Sequence, residues 1–301
     1  MKIAYVDDTR GKARQHHAFA LMPGKMRERG HEVTEVRDAE SAPLGWADVV
    51  WVHSIGGAAL ALSQSRIKKP LVVRMHAMET YKVNMRRFNW DRIARLVVYA
   101  EHLKEHFLER HDCMEPENIL VIPSAIDLKR FTLRTGQWND RVALVSEVHW
   151  QKGVDQIPAA LEVLPWAHIY HIGRVINESA RNYLHWELKR CGVWDRYHYE
   201  GRIPHRDVPG WLQGKSYLLL PSYTEGQPRA VGEAMACGLK PLVHRYRGCQ
   251  QQWPADCIWD DVEDLVGMRE PHEPTRYRRW IEERYNADLQ ADRVEALLET
   301  L

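Results

Sequence analysis

The chain has 301 residues, 42 of them Lys or Arg and 41 Asp or Glu, for a formal net charge of +1. That length holds two domains, each able to bury its own core, while the balanced charge supplies no global field for nucleic acid or an anionic membrane. The five cysteines Cys113, Cys191, Cys237, Cys249 and Cys257 are odd in number and lack paired metal spacing, which fits free thiols in a reducing cytoplasm better than a disulfide scaffold.

Short apolar runs alternate with helical patterns along the chain, the pattern of parallel strands joined by crossover helices. Strands are predicted at 2–6, 32–36, 48–52, 71–74, 96–99 and 119–122, then at 142–146, 167–172, 197–200, 217–220, 241–244 and 257–259. Between the two sets, the polar stretch 128–140 has no clear period and reads as an interdomain linker. Residues 276–301 read as helical. Their run Arg276-Tyr277-Arg278-Arg279-Trp280 is followed by Glu282, Glu283, Asp288 and Asp292, so a solvated helix of mixed charge is the simpler reading beside a membrane-surface anchor. No N-terminal run resembles a signal peptide, and none approaches the roughly 18 apolar residues of a spanning helix.

The segment from Tyr217 to Val243 carries the most chemistry. Tyr217 to Leu220 form a buried strand ended by Pro221-Ser222, Pro228 suits a first helical turn, Gly238 closes the helix, and Leu239 to Val243 return as strand. Ala230, Val231, Ala234 and Met235 make one apolar stripe. A strand that opens through Gly226 into a helix N-terminus is an anion site, because free backbone N–H groups and the helix dipole both favour phosphate. Glu225 and Glu233 flank it, eight residues apart, and both accept hydrogen bonds from hydroxyls, as sugars and riboses require.

Glu225-Gly226 through Glu233-Ala234-Met235-Ala236-Cys237-Gly238 resembles the E-x7-E signature of retaining GT-B glycosyltransferases of the family-four type, the group 1 glycosyl transferases. Val121-Ile122-Pro123-Ser124-Ala125-Ile126-Asp127 with Phe131 resembles that family's segment leaving the first domain. Lys152-Gly153-Val154-Asp155 resembles its K-G-x-D, Tyr170-His171-Ile172-Gly173 its strand with a ligand-facing Gly, and Glu200-Gly201-Arg202-Ile203 its F-x-G-x-V turn. The match is specific from about 119 to 254 and general in plan before that.

The resemblance implies an α/β fold of GT-B architecture, with two doubly wound Rossmann-like domains facing across a cleft. The first, the acceptor side, takes residues 1–130, and the second, for the nucleotide-sugar, takes 141–270; the helix within 271–301 is one that relatives often cross back to the first domain. It implies transfer from a UDP-, GDP- or ADP-sugar, a co-substrate rather than a cofactor, to an acceptor hydroxyl with retention. Lys152 would balance charge on the diphosphate, helped by N–H groups around Gly226, Gln227, Pro228 and Arg229, with Gly173 facing the ligand. Glu233 would bind ribose and Glu225 the donor sugar. His76 resembles the family histidine beside the transferred sugar, and Gly11 the backbone that approaches the phosphates. No D-x-D motif is present to hold a divalent ion, so the reading is metal-independent.

Two departures bear on mechanism. Where the family has Arg, five residues before Lys152, this chain has Glu147, which repels a diphosphate unless Arg174 or Arg229 compensates. The loop Asp8-Thr9-Arg10-Gly11-Lys12 lacks the usual double Gly, leaving Arg10 and Lys12 as phosphate partners. The acceptor stays open among glycan, lipid-linked glycan, small molecule and nucleic acid, with peripheral membrane contact allowed. The cluster Lys82, Arg86, Arg87, Phe88, Trp90, Arg92 and Arg95 mixes cations with aromatics and suits an anionic acceptor or a nucleic acid, or else a basic helix face with two rings turned inward. Two further function classes are a transferase that decorates a nucleic acid base and a non-catalytic sugar-nucleotide binder.

Overall fold

A computed structural model describes residues 1–8, 21–77, 79–270 and 272–301, with the backbone alone at 81 and 82. Its twelve strands are β1 (Lys2–Val6), β2 (Glu32–Val36), β3 (Val49–Val52), β4 (Leu71–Arg74), β5 (Ile93–Val98), β6 (Ile119–Val121), β7 (Arg141–Val145), β8 (His168–Ile172), β9 (Tyr197–Gly201), β10 (Tyr217–Leu220), β11 (Lys240–His244) and β12 (Ile258–Trp259). Each lies where the apolar runs put it, with the largest displacement, three residues, at the start of β5. The strands form two six-stranded parallel sheets, ordered β2-β1-β3-β4-β5-β6 and β12-β11-β10-β7-β8-β9.

The chain divides into one compact unit of Met1–Ala125 with Tyr285–Leu301 and a second of Ile126–Arg284. In the first, alternate strand residues feed two cores. Ala4, Val6, Val50, Val52, Val73 and Leu96 pack on one face, and Ile3, Tyr5, Val49, Trp51, Val72 and Val97 on the other. A parallel sheet covered on both faces needs apolar side chains in both directions, so β3 reads as an unbroken hydrophobic run and β4 as one up to its last residue, Arg74. The second face is covered by Met22, Met26, Ala291, Val294 and Leu297, which explains why the last helix belongs to this unit. Lys25 bonds Asp288 at 2.9 Å and Arg29 bonds Asp292 at 2.7 Å along its rim.

The tail therefore differs from a single helix. It is two helices, Pro274–Arg284 and Ala287–Leu298, broken at Asn286, whose side chain accepts from the Leu289 N–H at 2.8 Å and so starts the second. The basic-aromatic run is packed into the second unit: Tyr277 is buried, Trp280 Nε1 donates to the Gln252 carbonyl, and Arg278 donates to the carbonyls of Phe131, Ala236 and Leu128. The stretch 128–140 is also part of that unit. The Arg134 N–H donates to the Cys237 carbonyl at 3.0 Å, and its guanidinium, 5% exposed, donates to Ser216 Oγ at 2.8 Å.

The basic cluster of the first unit is two 3-10 turns, Met85–Arg87 and Trp90–Arg92, leading into β5 rather than one helix face. Phe88 is buried and Trp90 packs edge-on to Phe107 at 5.5 Å. Arg92 donates to the Ile67 carbonyl and Arg95 to Asn118 and Thr300, leaving Arg86 and Arg87 as the exposed cations among the described side chains of this stretch. All five cysteines are free thiols. Among the described residues, no helix is long and apolar enough to cross a membrane.

Candidate active site

In the second sheet the strands β7, β8 and β9 run outward in one direction and β10, β11 and β12 in the other. The order reverses between β7 and β10, and a doubly wound sheet opens its ligand crevice outside the carboxyl ends of the strands at such a point. The loops that leave β7, β8 and β10 there contain Lys152, Gly173 and Glu225 to Arg229.

Backbone shape at two glycines sets this meeting of loops. Gly153 has φ +65°, and a Cβ there would lie 1.9 Å from the Pro221 carbonyl oxygen. Gly173 has φ +156°, and its Cβ would lie 1.6 Å from the Ser146 carbonyl oxygen. Only glycine permits either approach. The 3-10 turn Trp150–Lys152 is thereby pressed on the end of β10, secured by Tyr223 N–H to the Gln151 carbonyl at 3.2 Å and Gln156 Nε2 to the Pro221 carbonyl at 2.9 Å. Tyr223 also donates its hydroxyl to Asp155 at 2.5 Å. Across this contact Lys152 Nζ donates to Glu225 Oε1 at 2.5 Å, the two side chains 27% and 13% exposed.

The helix Arg229–Ala236 follows. Pro228, at φ −67° and ψ 105°, is the residue that caps it rather than its first helical residue, and its carbonyl accepts the Val231 N–H. At the other end Gly238, φ +83°, makes the paired closure in which its N–H reaches the Met235 carbonyl and that of Leu239 reaches Ala234. The apolar stripe widens into a fully buried run from Val231 to Ala236, because the helix Pro274–Arg284 covers its outer side. At Gly232 a Cβ would lie 2.8 Å from Ile126 Cδ1, so that side has no space for a larger residue without repacking.

Within this buried run stands Glu233, 3% exposed. Its Oε1 accepts from Arg229 Nη2 at 2.9 Å and from His205 Nε2 at 3.0 Å. Gly226 is buried, and its carbonyl accepts from Gln252 Nε2 at 2.7 Å, which fixes the peptide before Gln227. Ser222 Oγ, buried at the end of β10, has no hydrogen-bond partner among the described residues. Beside β7, His171 is wholly buried between the Ser146 carbonyl at 3.0 Å and the Tyr197 hydroxyl at 2.6 Å. Burial pushes its pKa down to about 4, so it is neutral and structural at pH 7.

The three cations named from the sequence in this unit each have a carboxylate partner: Lys152 has Glu225, Arg229 has Glu233, and Arg174 has Glu147 at 2.6 Å on an exposed rim. The Glu147 charge, where the family has Arg, is thus offset by Arg174 in the neighbouring loop. A bridge between Val148 and Val175 holds those two loops side by side.

In the first unit, His76 follows β4 at a second crowded polar site. Its N–H donates to Glu79 Oε2 at 2.7 Å, and its ring meets that of His53 edge-on at 5.0 Å. Arg74 is 0% exposed, stacks over Tyr99, and places Nη1 3.4 Å from His76 Nε2 and Nη2 3.3 Å from Ser124 Oγ. A guanidinium has only donors, so Nε2 is the accepting nitrogen of His76 in that contact. Glu79 also accepts from Ser54 at 2.5 Å, and its burial raises the carboxyl pKa. Gly11, with Arg10 and Lys12, lies outside the described residues. Sequence reasoning missed His205, Gln252, Arg74 and Glu79. His205 had a faint signal, lying four residues beyond Gly201 of a matched turn, whereas Gln252 had none.

Residues 128–253 match the family model described as glycosyl transferases group 1. One component of human phosphatidylinositol N-acetylglucosaminyltransferase is 29% identical over 155 residues, 48% of this chain and 31% of that protein, so the chain spans under a third of its length. Among solved structures, Anabaena HepE in complex with UDP-glucose superposes with a TM-score of 0.76 at 14% identity over 100% of both chains. Sucrose-phosphate synthase of Thermosynechococcus elongatus gives 0.76 at 14% identity, covering 99% of this chain and 98% of that one. At these identities the structural likeness establishes the α/β GT-B fold alone.

Proposed function

We propose that this chain, whose residues 128–253 match the model for glycosyl transferases group 1, moves a sugar from a nucleotide-diphosphate sugar to an acceptor hydroxyl. Retention of configuration, independence of metal, and the residue roles below are parts of the same proposal. The supporting observation is the pairing of Lys152 with Glu225 and of Arg229 with a buried Glu233 around one helix start, at the strand-order reversal of the second sheet.

A diphosphate bound there meets the N–H groups of the 226–229 turn, the helix dipole, and Lys152. Glu225 holds the Lys152 ammonium in place and accepts from sugar hydroxyls; Glu233 grips the ribose. As the bond from the anomeric carbon to the diphosphate oxygen breaks, negative charge grows on the leaving phosphate, where a fixed cation and aligned amides stabilise it most. The acceptor oxygen attacks on the same face and gives its proton to the leaving phosphate. His76, with Nε2 facing Arg74, is assigned to the transferred sugar, and the first unit to the acceptor. Lack of a D-x-D motif in the sequence supports metal independence.

HepE was crystallised with UDP-glucose, which makes UDP the first nucleotide to try. Thermal shift with UDP, GDP and ADP tests donor binding, because a ligand of the folded state raises the melting temperature by mass action. The Glu233→Gln variant should fold, lose that shift and lose transfer from the matching nucleotide-sugar. A full shift in this variant would refute the assignment.

A further inference from the structure

We infer that His205 is a positioning residue for nucleotide binding: it orients the Glu233 carboxylate so that one oxygen is presented to the ribose. The inference rests on the donor reading above and adds a residue that no motif supplies.

Glu233 sits in the apolar run Val231–Ala236, 3% exposed. A buried ion pair seldom stabilises a fold over apolar residues of similar size, so a carboxylate here has weak justification as a structural element. Its two donors converge on one atom: Arg229 Nη2 and His205 Nε2 both bind Oε1, at 2.9 and 3.0 Å. Among the described residues no donor reaches Oε2, which is left to accept a hydroxyl. A carboxylate only accepts, so Nε2 of His205 carries the proton in this contact.

The two donors differ in what they hold. Arg229 lies one turn earlier on the same helix and moves with it. His205 comes from the turn after β9, a separate element, and is itself fixed twice: its carbonyl accepts from Arg130, and its ring packs 5.8 Å from that of Phe131. The His205 bond therefore locks the carboxylate relative to the sheet, whereas the Arg229 bond locks it only relative to its own helix. Without His205 the carboxylate turns on Arg229 and both oxygens share the remaining donor.

Titration calorimetry with UDP, GDP and ADP, each beside its 2′,3′-dideoxy analogue, tests this on wild type, His205→Phe, His205→Gln and Glu233→Gln. His205→Phe keeps a ring against Phe131 and removes the donor; His205→Gln restores an N–H at similar reach. The nucleotide that binds wild type should bind His205→Phe about 10-fold more weakly, the scale of one hydrogen bond to a charged group, and His205→Gln should recover most of it. The dideoxy analogue should bind wild type and His205→Phe alike, because the hydroxyls Glu233 would grip are gone. Equal loss for both ligands, or no recovery in His205→Gln, would overturn the positioning role while Glu233→Gln still impairs binding. Unimpaired binding in Glu233→Gln, or no binding of any nucleotide to wild type, would overturn the donor reading and this inference with it.

Discussion

Gly153 and Gly192 form a matched pair that isolates what the site asks of its backbone. Their φ values are +65° and +68°, so replacing either by Ala imposes the same left-handed penalty, about 1 kcal/mol. Their surroundings differ. At Gly192 an added Cβ meets nothing within 4 Å; at Gly153 it lies 1.9 Å from the Pro221 carbonyl oxygen and 2.6 Å from its carbon, where ordinary contact begins at 3.4 Å. That atom is backbone at the end of β10 and cannot rotate aside, so the 150–153 turn and the 221–228 loop must part by about 1.5 Å. Overpacking of this kind costs about 1–3 kcal/mol, bringing Gly153→Ala to about 3 kcal/mol in total against about 1 for Gly192→Ala. At about 3 °C per kcal/mol for a unit of this size, the melting temperature of the second unit should fall about 9 °C and about 3 °C respectively. Scanning calorimetry reads both, and calorimetric titration with UDP reads the consequence. Gly192→Ala should bind as wild type does, and Gly153→Ala should lose affinity because Lys152 and Glu225 separate. Equal losses of stability in the two variants, or intact binding in Gly153→Ala, would refute the claim that this contact sets the site.

Lys152→Met removes the cation while keeping the stem, and should weaken UDP at least about 10-fold but leave uridine unchanged, since its partner is the diphosphate; equal weakening of both, in equilibrium titrations, would place Lys152 elsewhere. Stability should also depend on pH through His171, whose pKa burial holds near 4 in the fold against an ordinary value of 6.5. The unfolded chain binds the extra proton, so this contribution is fully present above about pH 6.5 and is lost as pH falls toward 4, on the order of 2 kcal/mol at pH 5. Denaturant titrations at pH 5 and 7.5 should show the loss in wild type and a smaller one in His171→Gln.

How much of this was legible differs from element to element. The strands β3 and β10 are apolar throughout, and β4 is apolar up to Arg74, because helices cover both sheet faces, and such runs declare themselves locally. The turn around Gly238 was equally plain, since a helix that closes left-handed at a glycine needs that residue in that place. The break at Asn286 was hidden by a continuous helical pattern, because both helices have an apolar face and only their neighbours differ: Gly232 and Gly238 for one, Met22 and Met26 for the other. Pro228 was read one position too deep, since a proline suits the cap and the first turn alike.

From the residues alone came the strand order in sequence, the glycine turn, and the interval between Glu225 and Glu233, all of which depend on neighbours along the chain. Only the folded protein could decide that Glu147 is neutralised by Arg174, that Gln252 holds the Gly226 carbonyl, and that His205 meets Glu233 from 28 positions away. Those contacts join segments that follow different strands, and which strand ends lie together is fixed by sheet order, a property that no local spacing encodes.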